Sequence, residues 1–178
     1  ITGKMTATRQ FGVELIGLSG IESEIDLLKL IEGLLTKYNL DYKINLGNQK
    51  LVNLIIEEIT SDKEKITAIK KAIMKKNSAM LKAQLPNETN YEKLLFMLLD
   101  RDNDVDQIKE FIIKSDLKPS LLKAISRVSI IKETIDSDAL TIDLSLISPY
   151  DYYNGPIFKG YIKGYPKDIF RGGRYDTL

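Results

Sequence analysis

The stretch SPYDYYNGPIFKGYI, residues 148–162, decides how this chain is read, together with GGRYD at 172–176. Much of the chain before it reads as plain helix, so adjacent tyrosines, an Asn-Gly pair and a Gly-Gly-Arg-Tyr run call for an explanation. One local reading is a hairpin with aromatic faces. Neighbouring strand residues face opposite sides, which makes one of Tyr152 and Tyr153 a core residue and the other a surface residue. Asn154-Gly155 is then a turn. The other reading is the wall of a small-molecule pocket, into which one of the two tyrosines points. Gly172 and Gly173 permit close backbone approach or positive φ, and Arg174 can pair with Asp176 across a turn.

Just upstream, LTIDLSLI (140–147) alternates Leu140, Ile142, Leu144 and Leu146 with Thr141, Asp143 and Ser145, the pattern of a half-buried strand. YYNGPIFKGYI is expected to be its hairpin partner, KGYPKD turns the chain, and IFRGGRYD begins another extended piece. At the other end, QFGVELIGL (10–18) is rich in β-formers and stops at Gly17 and Ser19-Gly20, which predicts a strand. On that strand Gln10, Gly12 and Glu14 share a face. An amide and a carboxylate over a glycine floor suit a polar, cationic or amine-bearing ligand; the same residues also read as the polar face of an edge strand.

Between these ends, Ser23-x-x-Asp26 has the form of a capping box, and Ile25, Leu27, Leu28, Ile31, Leu34 and Leu35 recur at helical spacing through Tyr38. DYKINLG reads as a short strand and NQKLVNLIIEEIT as a second helix. From Ser61 to about Asp136, helical patterns follow one another, broken at QLPNET, DRDND and SDLKP, with Pro119 placed where a helix starts. Lys70, Lys71, Lys75 and Lys76 read as a solvated helix face. The expected class is α+β, a mostly antiparallel sheet flanked by helices with a helical insertion. The domain division expected is 1–60 with 137–178, and 61–136 as the insertion.

Composition narrows the chemistry. The 178 residues suit one domain or a domain with a small insertion, and 43% apolar residues supply a core. Charges nearly cancel, 26 Lys and Arg against 25 Asp and Glu, so no broad basic field for nucleic acid is present. No apolar run approaches the ~20 residues of a membrane-spanning helix, and no signal peptide is visible. With no Cys or His, thiolate chemistry, disulfides and the commonest metal ligand are excluded. No metal site or cofactor is expected, acid–base work would fall to Asp, Glu, Lys or Tyr, and a cytoplasmic setting fits. A compositional bias towards Ile, Lys and Asn accounts for the missing residue types as well.

Taken jointly, RQFGVELIG, YDYYNGPIFKGYI and GGRYDTL resemble, in order and with a helical insertion between the first two, the family of histidyl-tRNA synthetase and its paralogue, the regulatory subunit of ATP phosphoribosyltransferase. The resemblance implies a class II aminoacyl-tRNA synthetase-like fold. It implies a histidine pocket in which Gln10 binds the α-amino group and Glu14 and Tyr153 bond the imidazole, lined by Tyr152 and Tyr175, with Gly12, Gly155, Gly172 and Gly173 as pocket backbone. An imidazole with one donor and one acceptor nitrogen suits a carboxylate and a phenol at its two ends.

Departures from the family pattern separate enzyme from regulator. Where the synthetase carries an arginine ahead of its tyrosine pair, this chain reads Ser148-Pro149-Tyr150-Asp151-Tyr152-Tyr153. Losing a cation preorganised for a developing negative charge costs orders of magnitude in rate. Lys159 and Lys163 lie outside the motif position, and Thr6, Ala7 and Thr8 fit poorly before Arg9. The resemblance therefore implies no catalytic residues here, and a regulator of histidine biosynthesis. Its expected partners are a short-form catalytic subunit in a hetero-octamer, a second copy as a dimer, and histidine as effector, without nucleic acid or membrane. A fragment of a true histidyl-tRNA synthetase and an unrelated α+β binding module are the alternatives. The chain opens on Ile1, and family members extend further at both ends, so a piece of a longer protein is expected.

Overall fold

The computed structural model describes residues 9–85, 87–100 and 104–177. The readings of Thr6, Ala7, Thr8 and Leu178, and parts of the QLPNET and DRDND loops, lie outside these residues. Within them the order is α1 (Glu22–Lys37), β1 (Tyr42–Asn48), α2 (Gln49–Ile59), α3 (Lys63–Met74), α4 (Ser78–Lys82), α5 (Asn90–Leu99), α6 (Val105–Lys114), α7 (Pro119–Ile135), β2 (Leu140–Ile142), β3 (Pro156–Ile162) and β4 (Phe170–Gly173). The α+β class expected from the alternation of patterns is the one observed. Pro119 opens α7, where its missing N–H costs nothing. Thr89 and Glu92 form a capping box at α5 that the sequence reading did not single out.

The four strands lie in the order β2-β1-β3-β4. β1 is central, parallel to β2 and antiparallel to β3, and β3 is antiparallel to β4. Ile44, Leu46 and Phe158 therefore share one face. They join a single core with Leu28 of α1 and Ile125 and Val128 of α7. The opposite face carries Asn45, Lys159 and Arg171 in register. Asn48, only 2% exposed, fixes the turn from β1 into α2. Its side chain accepts from the Lys50 amide at 3.1 Å and donates to the Ala124 carbonyl of α7 at 2.9 Å.

Several local expectations are corrected. Residues 10–18 do not form a strand: they are exposed and join no described sheet, and Gly17 turns at φ +82°. β-forming side chains need a paired ladder to become a strand, and no described strand pairs with this segment. The LTIDLSLI strand stops at Ile142. There the Asp143 carboxylate takes hydrogen bonds from the Ser145 amide and hydroxyl (3.1 and 2.6 Å), an Asx turn that breaks the alternation. β3 is not the hairpin partner of β2; both pair with β1, on opposite edges. Asn154-Gly155 is not a hairpin turn either. The Asn154 amide donates to the Arg174 carbonyl and its side chain accepts from the Asp176 amide, so it joins the approach to β3 to the end of β4.

α1 begins at Glu22 without a side-chain cap. The Ser23 hydroxyl donates instead to the Gly20 carbonyl at 2.7 Å, replacing the capping box the pattern predicts. The lysine run is also not simply solvated. Lys70 reaches Asp151 at 2.8 Å and Lys76 reaches Asp143 at 2.7 Å, joining the α3 region to the segments flanking Ser148.

The Asn48→Ala variant is expected to lose about 2 kcal/mol of stability, from a lost helix cap and an unsatisfied buried carbonyl. Chemical denaturation of both proteins measures it.

Candidate functional site

Residues 10–18, α1 and the β3–β4 pair enclose a cavity of about 340 Å³. Gln10, Gly12 and Glu14 border it from the first segment, Tyr153, Gly172, Gly173 and Tyr175 from the sheet end, and Leu27 and Ile31 from α1. Four of the five side chains named by the resemblance, Gln10, Glu14, Tyr153 and Tyr175, therefore face one space. Tyr152 does not line it. Its ring lies 4.5 Å from that of Tyr153, 6.1 Å from that of Tyr175 and 5.5 Å from that of Tyr150, forming an outer aromatic layer. The strand that was to bring Gln10 and Glu14 to one face is absent, yet the segment still carries both along the cavity.

Glu14 and Tyr175 border the same cavity. Burial first, and the neighbouring Glu14 carboxylate second, push the Tyr175 phenol above its usual pKa. Tyr153 is buried beside Leu146 and Ile157. Burial, then its contact with Tyr152, raises its pKa strongly. Both phenols are therefore neutral at physiological pH and available as donors. Gly173 makes room for Tyr153: a Cβ there would sit 2.6 Å from Ile157 Cγ2 and 2.9 Å from Tyr153 Cδ1. Gly155 lies outside the lining, covered by the aliphatic stem of Arg174.

Arg174 does not simply pair with Asp176 across a turn. Its guanidinium donates to both oxygens of Glu24 (3.0 and 3.1 Å), to Ser23 Oγ (3.0 Å), to the Gly20 carbonyl (2.8 Å) and to Asp176 (3.1 Å). Arg127 of α7 holds the same carboxylate at 2.8 and 3.0 Å. Glu24 thus fastens the end of β4 to the start of α1. The sequence reading missed it, because the partners stand 150 and 103 residues away.

Ser148 is buried. Its amide donates to Gln49 Oε1 at 2.8 Å and its hydroxyl accepts from the Tyr150 amide at 3.1 Å. Arg127 and Arg174 are committed to Glu24, and Arg171 to Asp168 at 2.6 Å.

The sequence pattern of one family, histidyl-tRNA synthetase, matches residues 2–178. The chain belongs to that family. It agrees with the resemblance carried by the three motifs. Among curated proteins the chain is similar to the ATP phosphoribosyltransferase regulatory subunit of Clostridium novyi (strain NT), 32% identical over all of this chain and 44% of that protein. It is 29% identical to the one of Bacillus cereus (strain ATCC 10987 / NRS 248), again over all of this chain and 44% of the relative. The chain thus spans somewhat under half the length of these relatives. A crystal structure described as an ATP phosphoribosyltransferase regulatory subunit/histidyl-tRNA synthetase from Bacillus halodurans superposes with a TM-score of 0.76 at 20% identity, over 91% of this chain and 45% of that one. Histidyl-tRNA synthetase from Nostoc sp. PCC 7120 gives 0.73 at 17% identity, over 90% and 42%. These likenesses place the fold in the class II synthetase-like group. Among the described residues, no helix is long and apolar enough to cross a membrane.

Two measurements check the geometry of the tyrosine wall. In an alkaline titration Tyr153 is expected to ionise well after an ordinary tyrosine, whose pKa is near 10.0. The folded chain then holds a proton the unfolded chain has released, so this residue's contribution to stability falls as pH rises above ~10. Tyr153→Phe removes that late component of the phenolate absorbance. Gly173→Ala is expected to lose about 1–3 kcal/mol by overpacking against Tyr153 and Ile157, read from its unfolding midpoint.

Proposed function

We propose that this chain is the synthetase-like part of a non-catalytic regulatory subunit of ATP phosphoribosyltransferase, and that its cavity takes histidine as the feedback effector. The similarity of the whole chain to proteins bearing the regulatory-subunit name, at 29–32% identity, carries this reading. The cavity agrees with it. Gln10 is available for the α-amino group, and Glu14 with Tyr153 for the two imidazole nitrogens. Tyr175 forms a wall beside Glu14.

Ser148 supports a regulator over an enzyme. At the motif position where the synthetase has arginine stands a buried hydroxyl that accepts a backbone amide. The arginines of the β4 segment and α7 are engaged elsewhere. An amino acid held in such a site lacks the positive charge that would stabilise a carboxylate's attack on ATP. Histidine that binds more tightly to one assembly state than to another shifts the population towards that state, which is the requirement for feedback. The partner in this reading is a short-form catalytic subunit, the assembly a hetero-octamer built on regulator dimers, and the setting the cytoplasm. Residues 61–136 act as the insertion within the synthetase-like unit.

Co-expression of the full-length protein carrying this chain with a short-form ATP phosphoribosyltransferase tests the role. Activity is expected only with both subunits, and it falls as histidine is added. Charging of tRNA with histidine by the protein alone overturns the proposal in favour of a synthetase. A calorimetric titration of the Glu14→Gln variant is expected to show histidine binding weaker by roughly tenfold, the loss of one charge-assisted hydrogen bond.

A further inference from the structure

A second cavity, of about 170 Å³, lies on the sheet face opposite the core, where that face meets the end of α3. Its polar lining comes from Asn45 of β1, Lys159 and Tyr161 of β3, Lys76, Asp143 and Ser145. Leu146 separates it from the first site, lining this cavity while packing against Tyr153.

The charges here do not balance locally. Lys76 is paired with Asp143, and Arg171 with Asp168. Lys159 has no ion pair or hydrogen bond among the described residues, although it is half-buried and stands directly opposite Arg171 across the ladder. Like charges placed so destabilise a sheet. Burial, then the neighbouring Arg171, depresses the Lys159 pKa, the mark of an ammonium short of compensation.

Two further donors at the same cavity lack acceptors. Asn45 receives a hydrogen bond from Thr141 on its side-chain oxygen at 3.0 Å, but its amide nitrogen donates to nothing among the described residues. The Tyr161 hydroxyl is half-buried and likewise without a partner among them. One cation without an ion pair and two unused donors among the described residues therefore converge on one space. With each water taking about 30 Å³, the cavity holds several waters or one tetrahedral oxyanion.

We propose that Lys159, Asn45 and Tyr161 form a binding site for a small oxyanion, a phosphate group or a carboxylate. Lys159 supplies the charge, Asn45 Nδ2 and Tyr161 Oη supply directional donors, and the Lys76–Asp143 pair closes the cavity from the α3 side. This site does not depend on the histidine reading of the first cavity, since it shares none of the side chains assigned to histidine.

The test is a titration of the chain with sodium phosphate, and separately with sodium acetate, each against sodium chloride at equal ionic strength. The Asn45 side-chain amide is followed by NMR. A saturable shift with phosphate or acetate that chloride does not reproduce is expected, and whichever anion acts identifies the ligand as phosphoryl or carboxylate. Lys159→Met, which keeps the apolar stem, should abolish it, and Asn45→Ala, followed by calorimetry, should weaken binding by roughly tenfold. In anion-free buffer Lys159→Met should be at least as stable as the parent, because it removes a poorly compensated charge. If it fails to fold, Lys159→Gln takes its place in the titration. An unchanged response in the Lys159 variant, or shifts no larger than those caused by chloride, would overturn the site. The phosphate or acetate titration of Glu14→Gln should match the parent, so failure of the histidine assignment is distinguishable from failure of this one.

Discussion

The carboxylate of Glu24 between two guanidiniums is the constraint on which the geometry of the cavity depends. Glu24 belongs to the first turn of α1, Arg127 to α7, and Arg174 follows β4 directly. One anion thus joins three elements that are remote in sequence. A buried charge is tolerable when hydrogen bonds surround it, and here both carboxylate oxygens receive donors from both arginines. Arg174 also bonds the Gly20 carbonyl, at the end of the segment that carries Gln10 and Glu14. The position of that segment over β4 follows from this node, since no β-ladder holds it.

The sheet supplies the second fixed frame. Its two faces do different work. Ile44, Leu46 and Phe158 seal it to α1 and α7, while Asn45, Lys159 and Arg171 leave the other face polar. The ends of β3 and β4 then bring Tyr153 and Tyr175 together, with glycine at 173 allowing a close fit that any side chain would prevent. Packing on one face and polar chemistry on the other arise from the same two-residue alternation.

Much of this was legible in the sequence where the signal is local. The helices at 63–74, 90–99, 105–114 and 119–135 follow from apolar spacing and from Pro119, and β1 follows from Tyr42, Ile44 and Leu46. The three motifs pointed to the family and to a cavity that four of the named side chains border. What failed was whatever depends on a partner elsewhere in the chain. Residues 10–18 have strand composition but no ladder, and Leu144 and Leu146 continue an alternation that Asp143 ends by capturing Ser145. Parallel pairing of β2 with β1 has no local signature. Arg174 looked like a turn residue because its acceptor lies 150 positions away. Lys70 of α3 and Lys76 just beyond it looked solvated because Asp151 and Asp143 cannot be seen from their own segment.

The strand order has a kinetic consequence. β1 leaves the ribosome more than a hundred residues before its antiparallel neighbour β3, and the described elements between them are helices up to β2. Helices form and collapse quickly, whereas closure of a long loop must precede any pairing of distant strands. During synthesis the helical block therefore condenses around a lone, unpaired β1. The recess between residues 10–18 and Tyr175 takes shape only once Tyr175 has emerged, after the helical block.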